Sequence, residues 1–296
     1  MFTFRTLYSK IGLKNLMIFH VVIILLAIGT LVFYHQTTGE WFNRSFELKG
    51  GVQMNIDDIT AEPSDIEKAL ASIDGASVRG YTSVATKGVS INAPAEIDEA
   101  TILNKLKAAG IDAKAYSFQV VGPTLGEGFW SQSVYAFALA FIFMGIIAFI
   151  MFRSVAPSLA VIQAACADII VALAGMRLFG MELSLAAFSA LLLMVGYSID
   201  TDILLTNKML RKEGKFIDKL TEATRTGLTM TSTAMAAVTV LYFATSANAI
   251  RDISSTLLIA MVADIPATWF MNAGILHWWM AKKGMIDKQD EGWVPK

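Results

Sequence analysis

The chain has a single cysteine, Cys166, inside an apolar run, so no disulfide framework can hold it together. Histidine is almost as scarce: His20, His35 and His277 lie far apart and show no metal-ligand spacing. No Gly-rich phosphate loop, Cys-x-x-Cys or His-Glu-x-x-His stretch occurs, which leaves ATP hydrolysis and zinc chemistry without a motif. Nor is there an excess of charge of one sign. The 24 basic and 25 acidic side chains leave a net charge of −1, too little to suggest nucleic acid as a partner. No enzyme activity, cofactor or metal is expected from this residue pattern.

Apolar residues are what the chain has in abundance. They make up 55% of its 296 residues, with mean hydropathy +0.54, and they come in blocks. Six blocks are long enough to cross a bilayer as helices: 16–34, 129–152, 156–176, 183–206, 228–245 and 253–280. The first is longer than a signal-peptide core and lacks an Ala-x-Ala cleavage site, so it reads as a retained span. Arg5, Lys10 and Lys14 precede it. The loop 207–227 carries Lys208, Arg211, Lys212, Lys215, Lys219 and Arg225 against three acids, and Lys282, Lys283 and Lys288 follow the last span. Basic residues collect on the cytoplasmic side of membrane proteins, so both termini are expected there.

Residues 35–127 differ: they are polar, charged and rich in turns, and form an α+β domain on the other side of the membrane. The pattern reads β-α-β-β-α-β, the order of a ferredoxin-like sandwich. The first strand, within 45–56, turns Val52, Met54 and Ile56 to one face, and its Gly50-Gly51 pair implies a bulge or a close backbone approach. Ser64 to Glu67 reads as a capping box opening a helix to residue 73. Strands follow at 76–84 and 87–93, then a helix begun by Pro94 and ended by Gly110, then a strand at 112–121. Residues 122–128, with Gly126 and Gly128, read as a hinge-like linker. The organisation is therefore 1–34 (N-terminus and first span), 35–127 (extracytoplasmic domain), 128–281 (spans two to six) and 282–296 (cytoplasmic tail). The fold class is an α-helical polytopic membrane protein with a domain inserted between its first two spans.

Carboxylates inside apolar helices are the main functional signal. A charge at that depth costs about 2.5–3.5 kcal/mol unless it is paired, protonated or wetted. Asp168, Asp200, Asp202 and Asp264 all fall within expected spans. Asp168 and Asp264 lie near mid-membrane, while Asp200 and Asp202 lie about 25–29 Å from the outer end of their span, near the cytoplasmic boundary. Asp200 and Asp202 are about 200° apart on a helix and cannot share a face. Two polar stripes repeat every four residues: Arg225, Thr229 and Thr233, and Asp264, Thr268 and Asn272. Such stripes either join helices or relay protons. The relay reading predicts an Asp200–Arg225 pair that forms when the carboxyl is ionised and opens when it is protonated.

The stretch Gly196-Tyr197-Ser198-Ile199-Asp200-Thr201-Asp202, the Lys49-Gly50-Gly51 sequence after the first span, and the six-span order together resemble the SecF family, in its archaeal form. In bacterial members the fourth span reads Gly-Tyr-Ser-Ile-Asn-Asp-Thr. Without gaps, Asp200 takes the Asn position and Thr201 that of the proton-linked Asp. The fifth-span Arg of that family falls nearest Gly227, with Arg225 two residues earlier. The resemblance implies a subunit of the Sec protein-export machinery, acting with SecD beside a SecY-type channel on a translocating polypeptide in the cell membrane, and drawing on the proton gradient. It also allows a proton-coupled RND-superfamily exporter of lipids or small molecules, or a non-energised scaffold or insertion factor. Lys49, Gly50 and Gly51 would then transmit helix shifts to the outer domain.

Overall fold

The computed structural model describes residues 4–82, 87–211 and 214–286. A helix α1 (Phe4–Ile11) leads through Gly12 into α2 (Leu13–Thr38). The first of these has no counterpart in the sequence reading. Its eight residues include Arg5 and Lys10, yet Tyr8 is fully buried against the bundle.

One turn of helix, α3 (Phe46–Lys49), precedes β1 (Gly51–Asp57), α4 (Pro63–Ala69), β2 (Ser77–Thr82), β3 (Lys87–Ala93), α5 (Glu99–Ala108) and β4 (Ala115–Val121). The strands line up β2-β3-β1-β4 and every neighbouring pair is antiparallel, the ferredoxin-like arrangement. Val52, Met54 and Ile56 share one face with Val89 and Ile91 and pack under Ile66, Leu70, Ile102 and Leu106. The register makes the opposite face a set of polar rows. Ser77, Asn92, Gln53 and Gln119 lie side by side, with Arg79, Ser90, Asn55 and Ser117 in the next row.

Local chemistry corrects several expected boundaries. Ser64 is not a cap, because Pro63 takes the first helical position, where its missing N–H costs nothing. Pro94 does not open α5. Asp98 does, and its carboxylate accepts from the Thr101 N–H at 2.9 Å. Residues 46–49 are helical rather than extended, with Phe46 and Leu48 buried. Val84, Lys212 and Lys288 lie outside the described residues.

The remaining helices are α6 (Pro123–Phe152), α7 (Val155–Leu178), α8 (Leu185–Arg211), α9 (Phe216–Ala244), α10 (Asn248–Pro266), a π-helical segment (Ala267–Asn272) and α11 (Ala273–Lys282). Residues 122–128 form no linker. Pro123 opens α6, which runs unbroken through Gly126 and Gly128. A Cβ on Gly126 would collide with the backbone at Gly50, and one on Gly50 with the backbone at Pro123. The expected close backbone approach is therefore a packed junction between the end of α3, at Lys49-Gly50, and α6. The basic stretch 207–227 is also mostly helix, since α8 continues to Arg211 and α9 starts at Phe216. Leu205, Met209, Phe216 and Leu220 give both extensions a core.

Among the described residues six helices are long and apolar enough to cross a membrane, with residues 248–282 forming one continuous span. In α7, α8 and this last span about half or more of the apolar window is buried, against about a tenth in α6 and α9. The first three therefore form the interior of the bundle. The sheet's polar face rests on one end of it. Glu182, in the α7–α8 turn, accepts from Asn92 Nδ2 (2.7 Å), Arg79 Nη2 (3.0 Å) and Ser77 Oγ (3.1 Å). Asn248 Nδ2 donates to Asn55 Oδ1 at 2.7 Å. At the far end, Tyr8 Oη lies 2.9 Å from Thr224 Oγ1, and His277 meets the Phe216 ring edge-on. The described chain thus begins and ends on the side away from the α+β domain.

Candidate functional site: a hydroxyl-bridged carboxylate chain

The α8 helix supplies three polar side chains to one buried cluster. Ser198, Thr201 and Asp202 are spaced i, i+3, i+4 and so share one face. All three are fully buried. Opposite them stand Asp168 on α7 and Asp264 on α10, both buried. Thr268 and Asn272, from the π-helical segment, are completely enclosed as well.

The π segment helps to keep its stripe in line. On an α-helix each step of four residues overshoots a full turn by about 40°. A wider turn reduces that drift. Pro266 gives a local cause, since it has no N–H with which to close the preceding α-helical turn. Asp264, Thr268 and Asn272 accordingly all reach the same cluster.

The contacts form a chain. Ser198 Oγ lies 2.8 Å from Asp168 Oδ2 and 2.9 Å from Asp264 Oδ1. Thr268 Oγ1 lies 3.0 Å from Asp202 Oδ1 and 3.1 Å from Asp264 Oδ1. Asn272 Nδ2 donates to Asp202 Oδ1 at 2.6 Å. Thr201 Oγ1 donates to the Ser198 carbonyl at 2.9 Å and lies 3.4 Å from Asp264 Oδ2.

Counting hydrogens gives this chain its chemical meaning. Each hydroxyl carries one hydrogen. Ser198 and Thr268 together make four contacts with carboxyl oxygens but own two hydrogens. If all three aspartates were ionised, two of those contacts would set lone pair against lone pair. Hydrogens on two of the carboxyls would complete the bonding, each hydroxyl then accepting from one aspartic acid while donating to the other. At the two ends, Asp168 Oδ1 and Asp202 Oδ2 are buried and have no hydrogen-bond partner among the described residues. No Lys or Arg forms an ion pair with any of the three among those residues, and no group there has the arrangement of a metal site.

The expected residues therefore divide. Asp168, Asp202, Asp264 and Ser198 come together. Asp202 does not lie at the helix end, because α8 continues to Arg211, and its bonds to Thr268 and Asn272 join it to the cluster. Asp200 lies on the exposed side of α8, and Arg225 is exposed on α9. The two form no ion pair. Thr229 and Thr233 spend their hydroxyls on the carbonyls of Arg225 and Thr229 in their own helix. Gly196 is exposed and Tyr197 half-buried, on the flanks of the Ser198 face. Lys49 pairs with Glu40 at 2.8 Å, beside the Gly50 junction.

Fold and site together define a multi-pass membrane protein with an α+β domain between its first two spans and a carboxylate–hydroxyl chain in its interior. Comparison with known proteins places it more closely. The family described as protein export membrane protein SecD/SecF, C-terminal, matches residues 101–282. A protein-export membrane protein SecF of Pyrococcus furiosus is 34% identical over 273 residues, 91% of this chain and 92% of that one. The SecF of Methanothermobacter thermautotrophicus is 38% identical over 248 residues, 80% and 84% of the two chains. The fold is also that of the crystal structure of SecDF, a translocon-associated membrane protein from Thermus thermophilus, with a TM-score of 0.69 at 19% identity. That match covers 90% of this chain and 38% of the longer SecDF chain. The chain belongs to the SecF family of protein-export membrane proteins, which are non-enzymatic accessory components of translocation.

Proposed function

We propose that this chain works with SecD beside a SecY-type channel and promotes the passage of a polypeptide across the cell membrane by drawing on the proton gradient. In this reading residues 1–34 and 282–296 lie on the cytoplasmic side, apart from the first span itself. Residues 35–127 form the extracytoplasmic domain. Residues 128–281 carry spans two to six and the proton path. No ATP is available outside the cytoplasm, so work done there on an emerging polypeptide has to come from an ion gradient or from binding.

The observation that carries the reading is the pair of hydroxyls, Ser198 and Thr268, each shared between two buried carboxyls. A proton handed along Asp168, Ser198, Asp264, Thr268 and Asp202 changes which oxygen donates at each step. It therefore changes how tightly α7, α8 and α10 are held together. The Gly50 junction on α6 and the Glu182 clamp on the sheet are the connections through which such a shift would reach the outer domain. Asp200 and Arg225 have a different task. A charge left against lipid is costly, and their exposure on the neighbouring helices α8 and α9 suits contact with polar groups on SecD helices.

The test is export of a slow-secreting protein in cells depleted of this chain and complemented with wild type, Asp202→Asn, Asp264→Asn or Asp200→Asn at matched membrane levels. Loss of the gradient-dependent component in Asp202→Asn and Asp264→Asn, with SecD still co-purifying, is the expected result. Unchanged export in both variants would instead make the chain a scaffold that takes no energy from the gradient.

A further inference from the structure

Between the polar face of the sheet and the domain-side ends of the helices lies a cavity of about 480 Å³. Its upper wall is polar and comes from β2, β3 and the start of α10. Its lower wall is apolar, built by Met181, Leu258 and Ile259, with Phe179 at the rim standing 75% exposed. Tyr81 and Tyr242 flank the space between the two layers. Along α10, Arg251 and Leu258 are seven residues apart, about 10 Å. The cavity thus passes from guanidinium to hydrocarbon over the depth of a lipid headgroup region, with tyrosines at the level where membrane proteins gather them.

The polar wall has unused capacity. Arg251 donates through Nη1 to the Thr82 carbonyl (2.9 Å) and through Nη2 to the Thr245 carbonyl (3.0 Å). Its guanidinium stacks near Tyr81 and Tyr242, at 5.2 and 5.5 Å from the ring centroids. All these partners are neutral, and Arg251 makes no ion pair among the described residues. Its buried Nε has no hydrogen-bond partner among the described residues, and neither does the Oγ of Ser90, which is 7% exposed and lines the same space. The other charges nearby already have partners of opposite charge or a hydrogen bond, although Arg79 Nε, like Arg251 Nε, has no partner among the described residues. Arg79 is bound to Glu182, and the Asp252 carboxylate accepts from Ser184 Oγ at 2.7 Å.

We propose that this cavity binds the phosphodiester headgroup of a membrane phospholipid, with the phosphate on Arg251 and Ser90 and the acyl chains leaving past Phe179 and Leu258. One unpaired cation beside Asp252 suits a singly charged phosphodiester better than a free phosphate dianion, and the apolar lower wall is of no use to an inorganic ion. Such a lipid would wedge between the sheet and α10 and set how firmly the α+β domain sits on the bundle. The site depends on the membrane-spanning fold and not on the proton relay, so it stands or falls separately from that reading.

The full chain, purified in detergent and stripped of lipid, is examined by native mass spectrometry after addition of phosphatidylglycerol, diacylglycerol or inorganic phosphate. Wild type is expected to retain phosphatidylglycerol as a discrete adduct that neither diacylglycerol nor inorganic phosphate reproduces. Arg251→Gln lowers its retention about tenfold or more, the loss expected for a charge-assisted hydrogen bond, and Arg251→Lys falls between the two. Equal retention by Arg251→Gln would overturn the proposal. So would retention of diacylglycerol as strong as that of phosphatidylglycerol, or displacement of the lipid by equimolar inorganic phosphate. The headgroup comparison needs only wild type, so it remains decisive if Arg251→Gln does not fold.

Discussion

The indole ring of Trp269 occupies the space that a side chain on Gly227 would need. Gly227 is the position nearest the fifth-span arginine of bacterial relatives, and in this chain a Cβ there would overlap the ring. An arginine at 227 is therefore excluded by packing. The basic residue stands at Arg225, on the exposed side of α9. Gly227→Ala is predicted to destabilise the protein by about 1–3 kcal/mol through overpacking. Trp269→Phe, with its smaller ring, should recover part of that loss in the double variant. Thermal melts of the four combinations in detergent check the coupling, and an additive pair would refute it.

Ser198 is predicted to act through its hydroxyl and not its size. Ser198→Ala removes the bridge between Asp168 and Asp264 and leaves their contacting oxygens without it, a cost of about 1–3 kcal/mol. Ser198→Thr keeps the hydroxyl. Gradient-dependent export should fall in the alanine variant and return in the threonine variant, while membrane levels stay equal. Equal export in both would show that the bridge is not used.

The Glu182 carboxylate holds the sheet to the α7–α8 turn through three donors. Glu182→Ala leaves Asn92 and Arg79 without it, at a cost on the order of 2 kcal/mol. Hydrogen exchange should rise in β2 and β3 and at the start of α10, with little change around Trp269 at the far end. Uniformly faster exchange across the whole chain would mean global destabilisation instead of release of the domain.

Glu47 gives the same junction a pH dependence. Burial pushes its carboxyl above the ordinary value of 4.5, and the charge of Asp252 adds to this, against the lowering effect of the Leu185 N–H. An acid raised in the folded state favours folding in its protonated form. That contribution is fully present below pH 4.5 and is lost as pH rises through the higher folded value. Glu47→Gln keeps an acceptor for Leu185 without the charge. Its melting temperature should therefore gain on wild type as pH rises from 4.5 towards neutrality, whereas parallel curves would show that Glu47 does not titrate in this range.

Much of this architecture is legible in the sequence, and the failures share a cause. The six apolar blocks and the β-α-β-β-α-β order depend on local periodicity, which survives folding. The alternation of Val52, Met54 and Ile56 gives the buried face of β1 correctly. The 200° separation of Asp200 and Asp202 also holds, with one buried and the other exposed. Which of the two faces inward depends on neighbours. Ser198, Thr201 and Asp202 form an i, i+3, i+4 stripe, and that spacing is the signal that selects Asp202. The boundaries at 122–128 and 207–227 fail for a related reason. Glycines and lysines there suggest loops, but tertiary packing against Gly50 and around Met209 keeps the chain helical. The polar cavity at Arg251 brings together residues from β1, β2, β3, the α7–α8 turn, α9 and α10, so no window of sequence contains it.

Proton movement through the bundle distinguishes a relay from a scaffold. This chain, co-reconstituted with SecD in liposomes enclosing a pH indicator, is subjected to an imposed proton gradient. The expected result is a flux that falls to background in Asp264→Asn and Asp202→Asn and is retained in Asp218→Asn, which alters an exposed ion pair with Arg5 far from the cluster. Equal flux in all three variants and wild type would contradict a relay through Asp168, Ser198, Asp264, Thr268 and Asp202.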